Sequence, residues 1–256
     1  MKNCILEKLR EIEKSENIKI LLAVESGSRA WGFESTDSDY DVRFIYVRPQ
    51  KEYLRLDSLR DVIELPINDE LDINGWDLFK TLRLLQKSNP TLFEWFSSPI
   101  VYYEDRDFCQ AFRPLLQRYF VSKSGLWHYL SMAKSNFREY LREDFVKLKK
   151  YFYVLRPVLA CRWILEHKSP PPMKFEELVE AELDATLRSE VERLLDLKRN
   201  SPEIKLIPRV ESLNSYMDAS IEEVASATHS LPEQKEKGWN ELNEFFFQTL
   251  QKYETM

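Results

Sequence analysis

Residues 18–24, Ile-Lys-Ile-Leu-Leu-Ala-Val, form an apolar run broken only by Lys19, and the chain turns directly afterwards through Glu25-Ser26-Gly27-Ser28. Such a run predicts a strand buried on both faces. A strand covered on both sides needs packed layers around it, which points to an α/β unit. Gly27 lets the backbone bend sharply and pass close to a ligand with no side chain in the way. Ser28 opens the next turn of helix, where unpaired N–H groups and the helix dipole favour an anion. Its hydroxyl adds one more donor for a phosphate oxygen.

Residues 40–47 (YDVRFIYV) predict a second strand with a period of two. Asp39 and Asp41 therefore point the same way, and Arg43 shares their face, where it offsets their repulsion. Two carboxylates on one edge suit a hard cation such as Mg²⁺, which takes a few carboxylates together with substrate phosphates. Two of the five glycines in the chain, Gly27 and Gly32, fall in this short stretch. That concentration marks the turn as the place where backbone freedom is needed.

The combination Gly27-Ser28, a spacer, then Asp39-Tyr40-Asp41 resembles the DNA polymerase β-like nucleotidyltransferase superfamily. The fuller form GSRAWGFESTDSDYDVR is similar to a subgroup of nucleotidyltransferases associated with RNA ligases. The likeness extends through Asp72-Ile-Asn-Gly-Trp-Asp-Leu, through Asn89-Pro90 with Glu94-Trp95, and through residues 150–157, about two thirds of the chain. It implies a third carboxylate on a later strand. The candidates are Glu64, Asp69, Glu70, Asp72 and Asp77. Residues 61–66 and 70–74 both predict short strands around a turn at Asn68-Asp69. Asp77 suits a helix N-cap ahead of residues 78–85. Resemblance and central strand placement together favour Asp72, as general base or metal ligand.

Beyond these strands the pattern predicts a helix over 77–87, another over 91–96 and a short strand at 100–103. From about residue 106 the pattern is helical to the end, with breaks at 169–172, 200–202 and near Pro232. The fold class expected is α+β: a small mixed-sheet, polymerase β-like palm domain at residues 1–110, then an all-helical domain at 111–256 that closes the nucleotide cleft. A helix over 145–165 carries apolar residues on most sides and so reads as largely buried. Lys149, Tyr153 and Arg156 share one narrow sector of it, suited to phosphate, with Pro157 kinking or restarting the helix beside Arg156. A salt-bridged or solvated face is the alternative for that sector. Arg29 is placed to touch a β- or γ-phosphate. Lys80 with Arg83 reads as a solvated stripe, and Lys134 with Arg138 as a similar pair nearer the cleft. His128, His167 and His229 lack ligand spacing with any cysteine or carboxylate and read as structural, while Trp31, Trp95 and Trp127 read as core.

At 256 residues there is room for one catalytic and one helical domain. The three cysteines, Cys4, Cys109 and Cys161, are odd in number and widely spaced, which suggests buried thiols in a reducing compartment. A charged N-terminus and the lack of any membrane-length apolar segment suggest a cytoplasmic protein. The net charge of −6 disfavours general wrapping of long nucleic acid but is compatible with holding a short RNA end.

The resemblance implies in-line attack of a hydroxyl on the α-phosphorus of an NTP, with release of pyrophosphate. Asp39, Asp41 and Asp72 would bind two Mg²⁺ ions, or Mn²⁺ in their place. Gly27, Ser28, Arg29, Lys149, Tyr153 and Arg156 would bind the nucleotide and its phosphates. The acceptor implied by the RNA ligase association is an RNA end. A small molecule or a protein side chain fits the acidic balance instead, and a silent nucleotide-binding protein is the third reading.

Overall fold

The computed structural model describes residues 1–57, 59–66, 70–202, 204–232 and 237–254. In chain order the first elements are α1 (Lys2–Glu16), β1 (Lys19–Glu25), α2 (Gly27–Trp31), β2 (Tyr40–Val47), α3 (Gln50–Tyr53), β3 (Val62–Glu64) and β4 (Leu71–Asp77). There follow α4 (Leu78–Gln86), α5 (Pro90–Phe96), β5 (Val101–Glu104), α6 (Arg106–Tyr119), α7 (Ser122–Tyr140), β6 (Phe145–Lys147) and α8 (Leu148–His167). The last are α9 (Phe175–Glu182), α10 (Arg188–Arg199), β7 (Leu206–Pro208), α11 (Glu211–Ser230) and α12 (Asn240–Lys252). No helix among the described residues is long and apolar enough to cross a membrane.

The chain divides into two compact units. The first holds residues 1–27, 39–120 and 236–256; the second holds 28–38 and 121–235. In the first, five strands form a mixed sheet in the order β3-β4-β2-β1-β5. Only β2 and β4 run parallel. After Lys19, every residue of β1 is buried, as an apolar run through the middle of a sheet requires. Ile20, Val42, Phe44, Tyr46 and Ile73 pack under Ile5, Leu9 and Ile12 of α1. On the other face Val24, Ile45 and Val47 pack with α4, α5, α6 and α12. Trp95 is buried there and stacks on Trp76 with ring centroids 3.8 Å apart.

Strand alternation sets which residues are left for chemistry. Ile45 and Val47 face the larger helical layer, so Asp41 and Arg43 lie on that same face, nearer the start of β2. The two partners Asp41 and Asp72 sit side by side in the parallel register of β2 and β4. Asp77 ends β4 and caps α4, accepting the Phe79 N–H at 2.7 Å.

The second unit is helical but not all-helical. Its β6 pairs antiparallel with β7, and Val146 and Ile207 are buried between exposed neighbours. The helix expected from residue 145 therefore begins at Leu148, and Phe145 is exposed. A three-residue strand that buries one side chain leaves no periodic trace, and its other apolar residue, Phe145, also fits the stripe of the helix that follows. Helix α8 runs unbroken through Pro157 to His167. Cys109 and Cys161 are buried thiols, whereas Cys4 is exposed near the start of α1.

Candidate active site

The end of β1 is built around a buried carboxylate. Glu25 is fully buried; its Oε1 accepts the Asp41 N–H at 2.8 Å and its Oε2 accepts the Tyr102 hydroxyl. Ser98 Oγ donates to the Glu25 carbonyl at 2.6 Å. The Ser26 N–H in turn donates to the Asp41 carbonyl at 2.8 Å. These bonds fix where β2 starts relative to the turn. Gly27 follows with φ +60°, and a β-carbon there would stand 2.0 Å from Asp41 Oδ2. Only glycine satisfies both the backbone angle and the approach.

Asp41 and Asp72 are bridged by one guanidinium. Arg43 Nη2 donates to Asp41 Oδ1 at 2.9 Å and to Asp72 Oδ2 at 2.7 Å. Its Nη1 donates to the carbonyls of Val42 and Asp72, at 3.1 and 3.0 Å. Like charges on adjacent strands repel, and a cation between them offsets that repulsion. Asp39 lies one residue before β2 and is exposed. The three aspartates are thus neighbours along β2 and β4, but they are not drawn into a single 4.8 Å cluster of ligand atoms. Their donor chemistry nevertheless fits a hard divalent cation: oxygen ligands, two of them in register, already holding a positive group.

The other candidates for the third carboxylate separate clearly. Glu64 pairs with Arg60 on the surface and accepts from Asn74 Nδ2 at 3.2 Å. Glu70 is exposed at the entry to β4, and Asp69 lies outside the described residues. Asp77 is buried at its cap and accepts the Tyr53 hydroxyl on both oxygens, at 3.1 and 3.0 Å. Burial pushes its pKa up to about 6.

Residues 28–38 belong to the second unit and are held there by aromatic and cationic contacts. Ser28 is buried, and its carbonyl accepts the N–H groups of Gly32 and Phe33, both at 3.1 Å. Arg29 Nη2 donates to the Ser38 carbonyl at 2.6 Å, steadying the loop that leads to Asp39. Trp31 meets the edge of Tyr153 at 6.1 Å and carries the Arg156 guanidinium over its ring at 4.5 Å. Arg156 is 2% exposed and donates to the Met173 carbonyl at 3.4 Å, so it lies inside the unit rather than on an open face. Lys149 and Tyr153 are half-buried.

Sequence reasoning missed several of these supports. Phe33 is fully buried and stacks on Phe152 at 5.3 Å, with Phe175 edge-on at 5.5 Å. Lys198 is buried and donates to Ser35 Oγ at 2.7 Å, while Arg199 donates to the Gly32 carbonyl at 2.9 Å. The signal for Phe33 was present, as an apolar residue immediately ahead of the polar stretch 34–39. Nothing in the local pattern links Lys198 or Arg199 to a loop more than a hundred residues earlier. His167, read as structural, stands in a cluster with Glu166 and Glu182.

A relative in Bacillus subtilis (strain 168), the uncharacterized protein YcgL, is 47% identical over 252 residues, covering 98% of this chain and 97% of its own. A solved structure, that of a nucleotidyltransferase-like protein from Exiguobacterium sibiricum, aligns over 86% of this chain and 73% of that one. Its identity of 14% and TM-score of 0.31 are too low to add weight. Residues 1–248 match RlaP, described as the RNA repair pathway DNA polymerase beta family. The chain belongs to that family and is a nucleotidyltransferase of the polymerase β kind.

Proposed function

We propose that this protein transfers an NMP from an NTP to a hydroxyl at an RNA end, with a divalent metal held by Asp39, Asp41 and Asp72. The observation that carries the reading is the pairing of Asp41 with Asp72 on parallel strands, tight against Gly27. The family's description as part of an RNA repair pathway supports RNA as the acceptor. Mg²⁺ or Mn²⁺ bound by the three carboxylates would offset phosphate charge and acidify the attacking hydroxyl.

In the reaction, the acceptor oxygen forms a bond to the α-phosphorus as the bond to the β-phosphate oxygen breaks. Pyrophosphate leaves with that electron pair, and the proton of the attacking hydroxyl passes to Asp72. Ser28 and Arg29, which follow Gly27 directly, hold the departing phosphates. Tyr153 and Arg156 position Trp31, two residues further along, and Lys149 adds positive charge on α8. Catalysis of this kind is chiefly positioning and charge neutralisation.

The acceptor reading draws further support from the second unit. A cavity of about 440 Å³ there is lined by Lys134, Arg138 and Arg142, with Trp127 beside them. Trp127 is partly exposed. Cations beside an exposed aromatic ring suit a single-stranded backbone with stacking bases. Asp218 and Glu222 also line the cavity, and they limit its net positive charge.

The test is incubation with Mg²⁺ and each α-labelled NTP, with and without RNA, beside the Asp39→Asn/Asp41→Asn double variant. Label moving to RNA, and lost in the variant, is the expected result. Label on a small molecule or on protein would replace the acceptor. Metal-dependent NTP binding without any transfer would mean that the acceptor is something other than the RNA supplied.

A further inference from the structure

Glu166, His167 and Glu182 each present one ligand atom within 4.8 Å of the others, the only such trio among the described residues. The first two end α8, and Glu182 ends α9. All three belong to the second unit, and none is among the aspartates of the candidate active site. The C-terminal end of a helix is the negative end of its dipole and favours a cation.

Glu182 makes the cluster unusual. Its side chain is only 4% exposed, and its Oε1 is buried with no hydrogen-bond partner. Burying a carboxylate oxygen in that state is costly unless a positive group compensates. His167 Nε2 stands 3.4 Å from Oε1 and offers it a positive partner only when the imidazole is protonated. Two ligands bonded to one tetrahedral ion at about 2.0–2.1 Å lie about 3.4 Å apart, so the spacing matches an edge of such a coordination sphere. The imidazole is also held in place. Trp163 lies on it with centroids 3.9 Å apart, and Trp163 Nε1 donates to Ser169 Oγ at 3.1 Å.

We propose that Glu166, His167 and Glu182 bind a divalent first-row transition ion, Zn²⁺ being the best fit, that clips the end of α9 to the end of α8. An imidazole among the ligands selects against Mg²⁺, which prefers oxygen alone. Three protein ligands leave one position for water.

The test uses the full-length Asp39→Asn/Asp41→Asn protein, so that metal held by the active-site aspartates does not contribute. It is stripped with a chelator and titrated with Co²⁺, a spectroscopic probe for zinc sites. The expected result is one equivalent of Co²⁺ with visible absorption bands, displaced by Zn²⁺ and not by Mg²⁺. Affinity should fall by about tenfold or more in His167→Ala and in Glu166→Gln, both at exposed positions that leave folding intact. Zn²⁺ should raise the melting temperature of the parent more than that of these variants. Glu182→Gln gives an independent reading: without metal it should be at least as stable as the parent, and with Zn²⁺ less stable. Absence of Co²⁺ binding, equal affinity in the variants, or a stability order indifferent to metal would each overturn the site.

Discussion

Gly27 and Asp41 approach so closely that a β-carbon at residue 27 would lie 2.0 Å from Asp41 Oδ2 and 2.9 Å from its Cγ. The turn and the carboxylate are therefore one structural unit. Gly27→Ala should lose about 1–2 kcal/mol from the positive φ alone, and more from the clash. Displacing Asp41 by about 1 Å should lower transfer by about 100-fold. Urea unfolding and labelled-nucleotide transfer measure the two effects. In an Asp41→Ala background the nearest atoms are gone, so the same substitution should cost less stability. Equal costs in both backgrounds would show that the clash is not what requires glycine.

Arg43 places a cation between Asp41 and Asp72, where a divalent metal is also proposed to act. Arg43→Met leaves the two carboxylates in register with less positive charge near them. Its thermal stability in chelator should fall, by about 1 kcal/mol for a pair that is only partly buried. Added Mg²⁺ should then raise its melting temperature more than it raises the parent's. An identical response in both proteins would separate the metal site from Arg43.

If the cavity lined by Lys134 and Arg138 takes up single-stranded RNA, its cations act mainly on phosphate. Replacing both with Gln should weaken binding about equally for all sequences. The plot of log affinity against log salt should flatten by about 0.7 for each phosphate that is no longer neutralised. Fluorescence anisotropy at several salt concentrations reads this directly. An unchanged slope would move the RNA surface elsewhere.

What the sequence disclosed, and what it concealed, follows the range of the interactions involved. Asp41, Arg43 and their strand face were legible because a period of two is written in neighbouring residues. The cap at Asp77 was equally legible, since the Phe79 N–H it accepts is two residues away. The choice of Asp72 needed the family resemblance, and its parallel pairing with Asp41 was not read at all, because register between distant strands leaves no local trace. Lys198 on Ser35, and Glu182 beside His167, had no signal at all. Each depends on helices packing so that residues far apart in sequence meet. The short pairing of β6 with β7 was hidden for another reason: with Val146 and Ile207 alone buried, it has too little pattern to read.

Asp77 gives the fold a pH dependence of defined sign. Burial, the largest influence, raises its carboxyl to about 6, although the Phe79 N–H, the Tyr53 hydroxyl and Arg48 pull the other way. In the unfolded chain an aspartate titrates near 3.9. The folded protein therefore binds this proton more tightly than the unfolded chain does. The stability it contributes is full below about pH 4 and is lost as the pH rises through about 6. Two units of difference correspond to about 3 kcal/mol. Asp77→Asn keeps an oxygen for the Phe79 N–H and carries no charge at any pH. Urea unfolding of parent and variant from pH 4 to 7.5 should show the variant gaining on the parent as the pH rises, and at least matching it at pH 7.5. Parallel curves would mean that Asp77 is no harder to ionise in the folded protein than in the unfolded one, and that Tyr53 and Arg48 fully compensate its burial.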